Sequence, residues 1–206
     1  KTASFEPSTS SRKFTITASD YVSQVIFVPL LRKLKSIAPN VQVELLPPAD
    51  STHELLDQGR IDLKFAPKQM LSDNIPSEFI FEERFVVVGC QTNPVFKNGL
   101  SEKIFYDSGH IVVKFGRRIP LSVTNQMLEA RNKSREADVL VGSFLLAPEM
   151  VVGTNRLTVM HERLAKIFAK RLPIAIADLP FTFPILEEYV QYHSTRVDDA
   201  GITWMI

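Results

Sequence analysis

The stretch from Lys13 to Pro47 constrains the fold more than any other part of the chain, because it reads as a strand, a helix and a second strand. "FTITA" and "VQVELLP" carry the strand signals, and a helix-period segment lies between them. Two strands joined by such a helix require a right-handed crossover and run parallel. The helix also aims its first N–H groups past the end of the first strand, where open α/β sheets bind ligands. We therefore predict an α/β fold with a ligand-binding edge.

The helix of this unit begins at Ser19 and Asp20, two residues that are common at helix N-caps. Its apolar residues recur at helical spacing as far as Ile37. Pro29 lies inside the pattern, so we expect a kink or a tightened first half. The turn at Ser19 has two interpretations. It is either a helix cap alone, or a cap whose hydroxyl and N–H groups also hold a polar ligand atom.

The rest of the chain continues the alternation of helices and strands. "DSTHELLDQG" predicts a short helix closed by Gly59, "RIDLKFAP" a third strand, and "EFIFEERFVVVGCQTNP" two more strands. Further helix and strand signals follow as far as "ITWMI". This order is typical of parallel or mixed sheets covered by helices. Residues 1–12, rich in Ser and Thr, read as a linker or tail.

The composition narrows the functional class. The chain has 206 residues, a formal net charge of +1 and no block of like charges, so it lacks the footprint of a nucleic-acid-binding surface. The single cysteine, Cys90, excludes an internal disulfide framework and reads as a small buried residue. No apolar run approaches membrane-spanning length. We expect a cytoplasmic protein; a mature secreted protein is the alternative.

The sequence offers no catalytic motif: it contains no Walker loop, GxGxxG, GxSxG or HExxH pattern. Glu82 and Glu83 alternate sides of a predicted strand and cannot share a proton. The four histidines lack metal-ligand spacing, and we expect each at the surface or at a strand edge: His53, His110, His161 and His193. These observations favour a binding protein without a metal or cofactor.

A second strand-to-helix turn, "GSFLLAPEMVVG", places Ser143 at a cap position with Phe144 beside it. Two such turns facing each other across two lobes would form a cleft with polar ends and apolar walls. Four phenylalanines at or just past strand ends could line it, although each also suits an ordinary core: Phe65, Phe115, Phe181 and Phe183.

Several segments of the chain resemble a known protein family. "ITASDYVSQVIFVPLLRKLKSIAPNVQVELLP" and "LLDQGRIDLKFAP" resemble the opening of the effector-binding domain of LysR-type transcriptional regulators. "FEERFVVVGCQTNPVF" and "VQYHSTRVDDAGITWM" resemble its two crossovers, so the resemblance runs from about Arg12 to the end. "SFLLAPEMVVGTNRLTVMHERLA" is similar to the NodD-like branch, which includes flavonoid-responsive nodulation regulators and regulators of naphthalene, nitrotoluene and pentachlorophenol degradation.

The resemblance implies two Rossmann-like lobes joined by two crossover strands, as in type II periplasmic binding proteins. Lobe I would comprise residues 13–88 plus 190–206, and lobe II residues 89–189. Residues 1–12 would be the linker from a winged helix-turn-helix domain that this chain lacks. The implied partners are a second copy in a dimer or tetramer, DNA only through the missing domain, and RNA polymerase. No membrane and no cofactor are implied.

The resemblance also places an effector cleft between the lobes, lined by Ser19, Asp20, Tyr21, Phe65, Ala66, Phe115, Ser143 and Phe144. Asp20 departs from relatives that sense carboxylates, and Ser143 stands where salicylate sensors carry histidine. Both departures favour a phenol, chlorophenol or flavonoid-like effector. Binding would shift the population of an oligomer and so control transcription. The alternatives are a solute-binding protein for a small organic ligand, an enzyme with Asp20 as general base, and an oligomerisation module.

Overall fold

The computed structural model describes residues 4–115, 123–131, 133, 135 and 137–206. They form two compact lobes, the first Lys1–Glu82 with Glu187–Ile206 and the second Glu83–Leu186. Each lobe has a mixed sheet with helices between its strands, which confirms the predicted α/β class. The lobe boundaries predicted after residue 88 and before residue 190 fall too late. Strand pairing within the second lobe already begins at Phe85.

In the described residues of the first lobe, five strands lie in the order β2-β1-β3-β10-β4. The strands are β1 (Lys13–Thr17), β2 (Gln42–Leu46), β3 (Leu63–Pro67), β4 (Ser77–Glu83) and β10 (Leu186–Gln191). Strand β1 pairs in parallel with both β2 and β3, as the predicted crossover requires. Strand β10 returns antiparallel to β3. The carboxyl ends of β1 and β3 therefore meet at one edge of the sheet.

The helix between β1 and β2 is continuous but changes its winding. It consists of α1 (Asp20–Val22), a π-helical turn (Ser23–Phe27) and α2 (Val28–Ile37). The tightened first half predicted from Pro29 is wrong, because the helix widens there instead. The backbone N–H of Val28 donates to the carbonyl of Ser23. Proline has no N–H and its ring crowds the carbonyl four residues earlier, and a wider turn accommodates both features.

The N-terminal residues of the first lobe are packed against its last helix, α9 (Ala200–Met205). The ring of Phe5 lies 5.1 Å from that of Trp204. Arg12 donates hydrogen bonds of 2.5 and 3.0 Å to the two carboxylate oxygens of Asp199. The prediction of a linker is therefore wrong for residues 5 to 12, because an aromatic contact and a bidentate ion pair fix them. Residues 1–3 of the predicted linker lie outside the described part.

The described strands of the second lobe repeat the same plan in the order β7-β6-β8-β5-β9. The strands are β5 (Phe85–Cys90), β6 (His110–Val113), β7 (Ala137–Val141), β8 (Leu157–His161) and β9 (Ile174–Asp178). Strand β6 is parallel to β7 and β8, while β5 is antiparallel to β8 and β9. The carboxyl ends of β6, β7 and β8 consequently meet at one edge.

Short helices cover this second sheet. The helices are α4 (Val95–Asn98), α5 (Glu102–Asp107), α6 (Val123–Glu129), α7 (Leu146–Val151) and α8 (Glu162–Phe168). Phe105 of α5 and Leu128 of α6 pack on Val87 and Leu157 of the sheet to form the core. In the first lobe, α3 (Thr52–Asp57) is followed by Gly59 at φ +67°, the left-handed conformation expected of a glycine that ends a helix. No helix within the described ranges is both long and apolar enough for a bilayer crossing.

Candidate functional site

Aromatic rings gather at the carboxyl-end edge of the second lobe's parallel strands. Phe115 follows β6, Phe144 follows β7 and His161 is the last residue of β8. The rings of Phe115 and Phe144 meet edge to face with centroids 5.1 Å apart. The rings of Phe144 and His161 meet the same way at 4.8 Å. The structure thus brings together two of the residues predicted for the site and adds one that was not predicted.

Ser143 lies in the turn between β7 and α7. Its Oγ accepts hydrogen bonds from the backbone N–H groups of Leu145 at 3.2 Å and of Leu146 at 3.3 Å. The side chain therefore binds two N–H groups at the start of α7, although the N-cap residue itself is Leu145 and not Ser143, where the sequence context predicted it. Ser143 and Phe144 are both half-buried, so each keeps some exposed surface.

His161 is the residue of this edge that sequence reasoning missed. It was predicted at the surface or a strand edge, which is wrong for its side chain, since the residue is only 4% exposed. Phe85 lies opposite it in the β5–β8 pairing, with ring centroids 5.1 Å apart. Burial lowers the pKa of His161 to about 3, so the imidazole is neutral at neutral pH.

His110 corrects the same prediction, because it too is buried, at the amino end of β6. Its Nε2 lies 2.7 Å from the carbonyl oxygen of Phe105. Burial lowers the pKa of His110 to about 4. This histidine lies at the opposite end of β6 from Phe115, so it belongs to the core and not to the aromatic edge.

In the first lobe, the carboxyl end of β1 leads directly into the predicted cap. Ser19 is the N-cap, and its Oγ accepts from the backbone N–H of Val22 at 3.2 Å. The carboxylate of Asp20 accepts from the backbone N–H of Tyr21 at 2.9 Å. Ser19 and Asp20 are half-buried, whereas Tyr21 is buried. The side chains of Ser19 and Asp20 are the exposed part of this turn.

Phe65 and Ala66 near the end of β3 are both buried. The ring of Phe65 packs edge to face on Phe27 at 5.3 Å, which is the ordinary core role considered for it. Thr17, the last residue of β1, was not predicted for the site. It is 1% exposed, and its hydroxyl has no hydrogen-bond partner among the residues that the structure describes. A buried hydroxyl in this position is costly unless something binds it.

Comparison with known proteins decides the family. The family described as LysR substrate binding domain matches residues 7–206. Nodulation protein D 2 of Bradyrhizobium diazoefficiens is 35% identical over 201 residues, covering 98% of this chain and 61% of that protein. The chain belongs to the LysR substrate-binding-domain family. It spans about three fifths of the length of this relative.

Solved structures agree with the LysR assignment. A probable transcriptional regulator from Pseudomonas aeruginosa has a TM-score of 0.88 and 25% identity, covering 98% of this chain and 67% of that one. The BenM effector binding domain, solved with its effector benzoate, has a TM-score of 0.67 and 17% identity, covering 89% and 84%. The predicted two-lobed type II periplasmic-binding-protein-like fold is confirmed. Because the family and the relatives that match are regulators and not enzymes, the prediction that this domain is not an enzyme is confirmed as well.

Two further phenylalanines proposed as cleft walls pack elsewhere in this LysR domain. Phe181 lies 5.3 Å from the ring of Phe105, and the guanidinium of Arg131 stands 3.9 Å over its face. Phe183 packs on Phe85 at 5.5 Å. Both belong to the second lobe's core, because the segment after β9 folds back over α5 and β5.

The remaining candidates also have structural roles. Among residues 4–115, 123–131, 133, 135 and 137–206, no three His, Cys, Asp or Glu side chains are grouped to hold a metal ion. Cys90 is buried, and its Sγ accepts from the backbone N–H of Gly153 at 3.3 Å. Glu83 is buried beside Arg163, with 3.4 Å between the charged groups, whereas Glu82 is exposed. The two carboxylates thus lie apart, as predicted.

Proposed function

We propose that this LysR domain senses a small aromatic inducer, such as a phenol, chlorophenol or flavonoid-like compound, which residues of both lobes contact. The observation that carries the proposal is the aromatic edge of Phe115, Phe144 and His161 at the carboxyl ends of β6, β7 and β8. Carboxyl-end edges are where sheets of this class bind ligands. Edge-to-face aromatic rings offer faces on which a further ring packs favourably.

The first lobe supplies the polar half of the proposed site. The half-buried Asp20 carboxylate accepts hydrogen bonds, so it suits an effector that donates one, such as a phenol. The buried hydroxyl of Thr17 lies just before the same turn and offers a second polar partner. A carboxylate effector would meet like charge at Asp20. An aromatic effector, benzoate, is bound by BenM on the same fold, and it supports the aromatic class without fixing the substituent.

The proposed mechanism is a population shift without chemistry. An effector that binds one arrangement of the regulator more tightly than another moves the equilibrium toward that arrangement. We place the regulator in the cytoplasm as a dimer or tetramer that binds DNA through a separate N-terminal domain and acts on RNA polymerase. The longer relatives, of which this chain covers 61%, leave room for such a domain.

A ligand screen tests the proposal directly. Phenol, 4-chlorophenol, salicylate and 4′,5,7-trihydroxyflavone are compared with leucine as a non-aromatic control. We expect a phenolic compound to raise the melting temperature in a concentration-dependent way, because a ligand that binds only the folded state stabilises it. Leucine should have no effect. The aromatic proposal fails if salicylate, leucine and the phenols behave alike.

Two substitutions separate the polar contacts. Asp20→Asn keeps the shape and an acceptor for the Tyr21 N–H but removes the charge, and we expect it to bind salicylate more tightly than the wild type does. Thr17→Val removes the buried hydroxyl with the same shape; phenol affinity should fall about tenfold, which is 1.4 kcal/mol, if the effector uses that hydroxyl. Isothermal titration calorimetry measures both. Unchanged affinities in both variants would remove the first-lobe turn from the site.

A further inference from the structure

We propose that His161 is a positioning residue for the effector: its ring holds Phe144 in place against Phe115 and so fixes the aromatic wall that these two rings form. The inference rests on the proposed function, because it names what fixes the second-lobe wall of that site. His161 acts through Phe144 and need not touch the effector.

The contacts show why Phe144 needs such support. Phe144 lies in a turn between β7 and α7, outside any strand or helix. A ring on a turn keeps one rotamer only when neighbouring groups pack against it. The centroid of the Phe115 ring lies 5.1 Å from that of Phe144, with an interplanar angle of 67°. The centroid of the His161 ring lies 4.8 Å from that of Phe144, with an interplanar angle of 80°. The Phe144 ring therefore has packing contacts with two different rings.

His161 is itself rigidly placed, so it can serve as a fixed support for the Phe144 ring. It is the last residue of the fully buried strand β8 and pairs in register with Phe85 of β5. The Phe85 ring lies against its imidazole at 5.1 Å. Phe115, in contrast, follows β6 without belonging to it. The support of the Phe144 ring is therefore anchored by a paired β-ladder.

The charge state fits a packing role. Burial lowers the pKa of His161 to about 3, so the ring that meets Phe144 is a neutral imidazole. A neutral imidazole costs less to bury among phenylalanines than an imidazolium would. A phenylalanine of similar shape should then replace the histidine, but an aliphatic residue should not.

The experiment compares His161→Phe with His161→Leu, and Phe105→Leu serves as the control for loss of a buried ring elsewhere in the lobe. The first readout needs no ligand: aromatic ¹³C shifts of Phe144 and Phe115 in protein labelled at phenylalanine. We expect His161→Phe and Phe105→Leu to leave the chemical shifts of Phe144 and Phe115 as they are in the wild type. We expect His161→Leu to move the chemical shifts of Phe144 toward the values of phenylalanine in an unfolded chain. The second readout is calorimetric affinity for 4-chlorophenol and 4′,5,7-trihydroxyflavone.

We expect His161→Leu to weaken binding about tenfold, or 1.4 kcal/mol, and His161→Phe to retain it. Equal losses in both variants would overturn ring positioning in favour of a polar contact by the imidazole. Unmoved Phe144 shifts in His161→Leu would also overturn it. If the wild type binds none of the aromatic compounds, the proposed function fails, and the ligand-free shifts still decide whether His161 positions Phe144.

Discussion

The two lobes share one strand order and both have an apolar core, but they differ in the polar groups packed beside it. In the first lobe, a partly exposed cluster of four charged side chains joins the N-terminal residues to the last helix. In the second lobe, two buried neutral histidines pack among aromatic rings. This difference determines how each lobe should respond to pH and to substitution.

The charged cluster of the first lobe is centred on Asp199. Arg12 and Arg196 both contact this carboxylate, and both also approach Asp62, at 3.6 and 3.4 Å. Asp199 additionally accepts from the backbone N–H groups of Gly201 and Ile202 at the start of α9. These contacts, led by the Arg12 hydrogen bonds, hold the pKa of Asp199 well below its usual range. The carboxylate of Asp199 is thus charged throughout the mildly acidic range.

The largest difference that we expect between the two lobes is that acid destabilises the second lobe before the first. His110 and His161 have folded-state pKa values of about 4 and about 3, against 6.5 when unperturbed. Between pH 6.5 and the folded-state pKa values, the two histidines bind protons in the unfolded chain but not in the folded lobe. The contribution of the two neutral histidines to the stability of the second lobe is therefore complete above about pH 6.5. It falls by several kcal/mol as the pH drops toward 4. The contribution of Asp199 is lost in the same direction but at a lower pH, since it is complete above the unperturbed pKa of 3.8 and disappears only as the pH falls below that value.

Hydrogen exchange read by mass spectrometry between pH 7.5 and 4.5 checks this prediction. Peptides from β6 and β8 should lose protection before peptides from β1 and α9. The His161→Phe variant should show a shallower pH dependence. Simultaneous loss in both lobes would break the proposed contrast.

A substitution of intermediate effect tests how closely the N-terminal residues pack on α9. A Cβ added at Gly201 would fall on the Arg12 guanidinium and lie 3.2 Å from Cδ2 of Phe5. We expect Gly201→Ala to cost about 2 kcal/mol, because Arg12 and Phe5 must both move. Gly142→Ala is the matched control, since the nearest atom to its added Cβ is the Lys114 carbonyl oxygen at 4.0 Å. Urea unfolding measures both, and equal midpoints would contradict the packing.

The smallest expected effect concerns the charge of Arg12. Arg12→Met keeps an unbranched chain near Phe14 and removes the hydrogen bonds to Asp199, for a loss of about 1 to 2 kcal/mol. The sole tryptophan, Trp204, reports the change by fluorescence, because Phe5 packs on it. Lys13→Met removes an exposed pair with Glu44 instead and should change little. Similar spectra for both variants would show that the charges do not hold the N-terminal residues.

The sequence predicted those features that depend on local pattern. The crossover from β1 to β2, the cap at Ser19 and the positions of Phe115 and Phe144 just past strand ends all follow from strand and helix signals. It did not predict the docking of Arg12, because its partner lies 187 positions later and no local signal names it. It also misjudged His161, which does precede a helix but is buried by rings from β5 and from the turn after β7.

The distance along the chain between Arg12 and Asp199 also sets an order of events during synthesis. The second lobe is one uninterrupted stretch, so all of it has been translated before the last residues of the first lobe exist. Until β10 arrives, β3 presents an open edge on the side where β10 will pair, and open edges invite association with other chains. The synthesis of residues 187–206 thus decides when the first lobe becomes protected from aggregation.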